Sequence, residues 1–130
     1  MNTRTVLTVA AVLALLFAVG FLLIPASIGP LYGFAGSPAE VLMTRFFGSA
    51  LLALGLINWF AKDADYATLR PILLGNMIGD GVGALVAIMG TVSGVTNALG
   101  WSTVVIYLLL GLAFAYLYFM GQPVSLRQRA

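Results

Sequence analysis

The sequence contains no cysteine and no histidine. Without cysteine there are no disulfides and no thiolate metal sites. Without histidine, the commonest ligand of zinc and haem and the usual general base are missing. Carboxylates are scarce as well, since Asp and Glu together number four, and Asp80 is the only one of them deep inside an apolar stretch. We therefore predict that the protein is not an enzyme and that it holds no metal and no cofactor.

Charge of either sign is rare, and this constrains the partners. Charged residues make up 8% of the 130 residues, whereas apolar residues make up 62%. Soluble domains are about half apolar and about a quarter charged, so the bilayer is the solvent that this composition fits. The six basic residues are dispersed and form no stripe with aromatic residues, so nucleic-acid binding is not expected.

Four apolar segments are long enough to cross a membrane, each near the ~20 residues that a spanning helix needs. They cover about 5–24, 39–61, 70–92 and 98–120. The first is longer than the apolar core of a signal peptide, and no convincing cleavage site follows it. The predicted fold is therefore a single all-α domain, an integral membrane antiparallel four-helix transmembrane bundle with the third span at its centre. The apolar, proline-rich and glycine-rich first loop is expected to lie along the membrane interface.

The basic residues predict the orientation of the spans. Arg4, Lys62, Arg70, Arg127 and Arg129 all fall at the N-terminus, in the second loop or in the C-terminal tail. Because loops on the cytoplasmic side carry an excess of Lys and Arg, both termini are predicted to be cytoplasmic. The predicted location is the bacterial cytoplasmic (inner) membrane.

Two helix starts can be proposed from local signals. Ser37, Pro38 and Glu40 have the spacing of a capping box with proline in the first turn, which predicts that the second span begins at this point. Arg70 and Pro71 suggest a similar start for the third span.

Small residues recur on one face of the third span. Gly75, Gly79 and Gly83 are spaced four apart, the pattern that lets helix backbones approach closely in lipid. Gly48 and Gly55 give the second span a small surface on the side of Arg45. We predict that these five glycines are helix-packing positions, within one chain or between chains.

Polar side chains accompany this glycine face. At 1.5 Å per residue, Asp80 lies ~15 Å into the third span, near mid-membrane, and Arg45 and Tyr107 reach similar depths. The sequence predicts a buried cluster of these three residues, with Asn76 beside it and paired with Asn58. Such a cluster is either a structural ion pair or part of a ligand or ion path.

One part of the chain carries a resemblance to known proteins. The run LYGF…TRFFGSALLALGLINWFA, followed by LRPILLGNMIGDGVGALVAI, resembles small bacterial four-helix membrane proteins, over about half of the chain. The resemblance implies an inner-membrane helical bundle and brings no activity with it. The expected function is non-catalytic: self-assembly, service as an accessory subunit of a larger membrane complex, or the holding of a lipid-like or hydrophobic ligand between helices. The alternative is a small ion-coupled or proton-coupled transporter or channel that uses Asp80 and Arg45. Membrane lipid and further copies of the chain are the expected partners.

Overall fold

The structure is a computed structural model that describes residues 1–121, and this part of the chain is all-α. Five helices follow one another: α1 (Thr3–Leu23), α2 (Pro25–Leu31), α3 (Pro38–Ala61), α4 (Tyr66–Val92) and α5 (Gly100–Met120). All but α2 are long and apolar enough to cross a membrane. Their limits follow the four predicted spans to within a few residues. Arg127 and Arg129, which entered the predicted orientation, lie outside the described residues.

The start of α3 is the predicted capping box. Ser37 Oγ accepts a hydrogen bond from the Glu40 backbone N–H at 3.2 Å, and Glu40 Oε2 accepts one from the Ser37 N–H at 2.6 Å. Pro38 occupies the first turn, where its missing N–H has no partner to lose. Two backbone N–H groups at this helix end, those of Ser37 and Glu40, are thereby satisfied by side chains close to them in sequence.

The predicted start of the third span at Arg70 and Pro71 is wrong. Helix α4 begins at Tyr66, and Asp65 caps it by accepting a hydrogen bond from the Thr68 N–H at 3.1 Å. Pro71 lies inside the helix. The prediction followed the onset of apolar residues, but a cap can start a helix in a polar segment, and here it does so.

The first loop contains a short helix, α2, that the sequence did not predict. The turn after α2 is joined to the segment between α4 and α5 by one residue. Asn97 donates from its side-chain Nδ2 to the Leu31 carbonyl at 2.8 Å and from its backbone N–H to the Tyr32 carbonyl at 2.9 Å. The two connections at this end of the molecule are therefore tied together.

Helices α1 and α3 pack closely and run antiparallel. A Cβ added at Gly48 would lie 2.9 Å from Phe21 Cβ, and a Cβ added at Gly55 would lie 2.8 Å from Leu15 Cγ. As α3 advances by these seven residues, its contact on α1 thus moves back toward the N-terminus. Gly48 and Gly55 are packing positions as predicted, but the helix they face is α1, not the predicted polar cluster.

Helices α4 and α5 form a second antiparallel pair. A Cβ added at Gly83 would lie 2.6 Å from Tyr107 Cε1, and a Cβ added at Gly111 would lie 3.3 Å from Asp80 Cβ. Near the start of α4, the Tyr66 hydroxyl donates to the Tyr118 carbonyl at 3.0 Å.

The two helix pairs meet at the end that carries the start of α1 and the loop between α3 and α4. Their common core contains eight buried side chains: Val6, Leu7, Ala10, Ala61, Leu69, Leu73, Phe114 and Leu117. The backbones of the two pairs approach each other only lightly, through α1 with α5 and α3 with α4. The third span is not central as predicted, because the backbone of α4 approaches α5 closely, α3 only lightly and α1 not at all.

Candidate ligand-binding cavity

A cavity of about 770 Å³ lies between the two helix pairs. Helices α1 and α3 contribute one wall, α4 and α5 the other, and the tied connections around Tyr32 and Thr96 contribute the end opposite the core. Its lining is predominantly apolar. The cavity is partly open, because the helix pairs approach each other only lightly along their two seams, α1 with α5 and α3 with α4.

The glycine face of α4 borders this cavity. Gly75 and Gly79 line it, and a Cβ added at either would meet no atom within 4 Å. The prediction that these two glycines pack against another helix is therefore wrong for the contacts within one chain. Gly83 differs, because its missing side chain admits the ring of Tyr107. Glycines four residues apart therefore allow close packing at Gly83 and border open space at Gly75 and Gly79.

Among residues 1–121, Asp80 is the only residue with a carboxylate side chain that lines the cavity. The residue is 7% exposed, and no group within residues 1–121 donates a hydrogen bond to its Oδ2. A Cβ added at Gly111 of α5 would lie 3.3 Å from Asp80 Cβ, so α4 and α5 approach each other closely at this position. A buried carboxyl oxygen without a partner is unusual, because buried polar groups are nearly always hydrogen-bonded.

The predicted ion pair of Arg45 with Asp80 is not formed. Arg45 is exposed on α3 and does not line the cavity, and the ion pairs in the described part of the chain do not include it. The expected depth was wrong as well as the wheel angle. Asn58 faces Asn76, and Asp80 lies about one turn from that contact. Arg45, in contrast, lies more than three turns from it. The small residues that shared a face with Arg45, Gly48 and Gly55, turn toward α1, so the guanidinium does not face α4.

The predicted Asn58–Asn76 pair is formed, in the seam between α3 and α4. Asn58 Nδ2 donates to Asn76 Oδ1 at 3.0 Å, and Asn76 Nδ2 donates to Asn58 Oδ1 at 2.9 Å. Asn76 also donates to the carbonyl of Ile72, one turn earlier in α4, at 2.9 Å. The two side chains are 1% and 6% exposed, so this polar contact is sealed. Asn76 also lines the cavity.

Tyr107 completes the polar part of the site. Its ring lies over Gly83, one turn beyond Asp80 on α4, and both Tyr107 and Asp80 line the cavity. Of the predicted cluster, Asp80, Tyr107 and Asn76 therefore share one cavity, whereas Arg45 is separate from them.

Sequence reasoning missed the aromatic side of the cavity. The ring centroid of Phe21 lies 5.8 Å from that of Phe17 and 5.5 Å from that of Phe47, and all three line the cavity. Phe114 lines it from α5. The four-residue spacing of Phe17 and Phe21 puts both on one face of α1, and this was a signal available in the sequence.

The chain matches no protein-family model, no curated protein and no solved structure.

Proposed function

We propose that the protein is integral to the bacterial cytoplasmic membrane, as a four-helix transmembrane bundle with both termini cytoplasmic. Four apolar helices of sufficient length support insertion. The ion pair of Arg4 Nε with Asp63 Oδ1 at 3.0 Å supports the orientation, because it brings the N-terminus and the loop between α3 and α4 to the same end. Arg4, Lys62 and Arg70 then lie on the cytoplasmic side, as the distribution of positive charge in membrane proteins requires.

Single cysteines test this orientation, because the native chain has none. Asp63→Cys should react with a membrane-impermeant thiol reagent only in inside-out vesicles, and Ala35→Cys, in the opposite connection, only in right-side-out vesicles. The reverse pattern would overturn the orientation.

We further propose that the function is to hold a lipid-like or hydrophobic ligand between the two helix pairs. The observation that carries this proposal is the cavity of about 770 Å³ with a predominantly apolar lining. Ligand pockets have volumes of about 300–1,000 Å³ and are mostly apolar with a few polar groups.

The glycines of α4 support the same function. Leucine or valine at Gly75 or Gly79 would project into the open space, and glycine there keeps the cavity wide. In lipid the seams between the pairs would give a hydrophobic molecule lateral access, without passage through water. Asp80 supplies one polar group for orienting the ligand.

The test is retention of a small molecule through purification. Wild-type protein and two variants, Gly79→Leu and Gly81→Leu, would be extracted in mild detergent and examined by native mass spectrometry. Gly81 is the matched control, because it is on the same helix and a Cβ there also meets nothing, but it does not line the cavity. Wild type and Gly81→Leu should carry an added non-protein mass that Gly79→Leu lacks. Equal retention by all three, or none by wild type, would contradict the proposal.

The same spectra address assembly. The outer faces of α3 and α5 expose many large apolar side chains, which favours contact with lipid, with further copies of the chain or with a larger membrane complex. A complex mass that is a multiple of the chain mass would add self-assembly to the function, and a co-purifying protein would indicate an accessory subunit.

A transporter or channel that uses Asp80 and Arg45 is the competing function. Its support is the buried Asp80 alone, since Arg45 lies apart from the cavity. Asp80→Cys distinguishes the two functions. Labelling by a membrane-impermeant thiol reagent would show that water reaches mid-membrane and would favour transport, whereas protection from both sides in folded protein would favour the ligand-binding function.

A further inference from the structure

Resting on the proposed ligand-binding function, we propose that the ligand is a hydrophobic organic cation, an amphiphile whose protonated amine binds the carboxylate of Asp80. The apolar part of the molecule would lie against the aromatic side of the cavity. The inference concerns the chemical class of the ligand and follows from three features of the described residues.

The first feature is the missing partner of Asp80. A charge buried away from water is normally paired or neutralised, because its transfer into an apolar medium is very costly. Asp80 is more than nine-tenths buried, lines the cavity and has an oxygen with no hydrogen-bond donor in residues 1–121. The carboxylate is therefore able to bind a group that arrives from the cavity.

The second feature is where the basic residues of the described chain lie. Arg4 and Lys62 both bind Asp63, with nitrogen–oxygen distances of 3.0 and 3.6 Å. The Arg70 guanidinium lies 5.4 Å from the ring centre of Tyr118, and Arg45 is exposed on α3. None of these residues lines the cavity. Within residues 1–121 the protein thus provides no cation to Asp80, and a cationic ligand would supply one.

The third feature is the aromatic lining. Phe17, Phe21 and Phe47 form a run of neighbouring rings on the α1–α3 wall. On the opposite wall, the ring of Tyr107 of α5 packs over Gly83, which follows Asp80 by one turn of α4. Aromatic faces attract ammonium groups, and more strongly when water is excluded. An anionic headgroup would meet the opposite situation, since its charge would face both the carboxylate and the negative ring faces.

The experiment compares three probes with the same twelve-carbon chain: dodecylamine, 1-dodecanol and dodecanoate. Wild-type protein in lipid nanodiscs would be unfolded by heat with each probe at matched membrane concentrations, and apparent affinities would be taken from the rise in midpoint. We expect dodecylamine to bind at least ten times more tightly than dodecanol, and dodecanoate to bind most weakly. This comparison needs no variant and so does not depend on whether one folds.

Variants then assign the preference to Asp80. In Asp80→Asn the preference for dodecylamine over dodecanol should fall to less than about threefold, while dodecanol still binds, since the amide removes the charge and keeps the shape. Gly79→Leu should weaken all three probes and Gly81→Leu none of them.

The outcomes separate the two proposals. Equal binding of the three probes to wild type, or tighter binding of dodecanol or dodecanoate, would overturn the cationic ligand and leave the ligand-binding function standing. A preference for dodecylamine that survives in Asp80→Asn would also overturn it. Absence of any effect of all three probes on wild type would overturn both.

Discussion

Asn58 and Asn76 join α3 to α4 through two reciprocal amide hydrogen bonds of 3.0 and 2.9 Å. The two residues are nearly fully buried, and they lie where the helix pairs otherwise touch only lightly. The pair therefore fixes the separation of the two walls at the base of the cavity. The shape of the cavity therefore depends on this contact between α3 and α4.

Alanine at either asparagine should destabilise the protein, because the remaining amide loses its partner in a sealed site. Asn58→Ala, Asn76→Ala and the double variant form a cycle whose coupling energy should lie between about 0.6 kcal/mol, the average for hydrogen bonds between membrane helices, and about 1.7 kcal/mol, the maximum found. Unfolding by a denaturing detergent measures it. Ser49→Ala is the control, since Ser49 bonds only to the Phe46 carbonyl of its own helix. A coupling energy of zero would mean that the amides do not act as a pair.

Glycine substitutions should separate packed positions from open ones. Gly55→Ala places a methyl group 2.8 Å from Leu15 Cγ and should cost about 1–3 kcal/mol of unfolding free energy by overpacking. Gly81→Ala meets no neighbour and should stabilise α4 by up to about 1 kcal/mol through its higher helix propensity. The measurement is again detergent unfolding. Equal effects at the two positions would contradict the close approach of α1 and α3.

Arg45 and Asp80 should act independently of each other. Arg45→Gln should change the unfolding free energy by less than about 0.5 kcal/mol, the usual range for an exposed site without special contacts. Asp80→Asn should leave stability unchanged or raise it, since it removes a lone buried charge. If the two residues formed a buried pair, either change would cost about 3–5 kcal/mol. A double-variant cycle measures the coupling, and a large value would restore the pair that the structure lacks.

The cap of α4 predicts a dependence on pH. Hydrogen bonds from Thr68 hold the pKa of Asp65 below its ordinary value. The bond from the backbone N–H has the largest effect, and the bond from the hydroxyl has the next largest. Because the folded pKa is lower than the unfolded value of about 3.9, the stability that Asp65 contributes is fully present above that pH. It is lost as the pH falls through the lower folded pKa.

This loss is measured from the melting temperatures of wild type and two variants between pH 6 and pH 2. These limits are about two pH units above and below the ordinary pKa of an aspartate side chain. Asp65→Ala should melt lower than wild type at pH 6, with the difference shrinking as the pH falls. Asp65→Asn keeps a capping oxygen and should show a smaller loss at pH 6. A difference that stays constant with pH would contradict the titration of Asp65.

Features close together in sequence were the most predictable. The capping box of Ser37 with Glu40 was correct because its partners are three residues apart and need no tertiary contact. The Asn58–Asn76 pair was also anticipated, since both residues were expected at similar depths near the cytoplasmic side of consecutive spans. The start of α4 was missed by four residues, because hydrophobicity marks the apolar part of a helix and not the polar turn that Asp65 caps.

The candidate site was predictable only in part. The four-residue spacing of Asn76 and Asp80 was sufficient to place both on one face of α4. The position of Tyr107 along α5 was sufficient to place it at a similar depth. Neither was sufficient to say what that face of α4 meets. Small residues with a spacing of four fit a neighbouring helix, as at Gly83, and equally fit an open cavity, as at Gly79.

The sequence by itself determined an all-α chain with four helices long and apolar enough to cross a membrane, together with one capped helix start, since composition and local hydrogen bonding decide these. Only the tertiary structure decided that α1 pairs with α3 and α4 with α5, that Arg45 turns away from Asp80, and that a cavity remains between the pairs. The physical reason is that periodicity fixes the angle of a side chain about its own helix. What lies opposite depends on how all the helices pack at once.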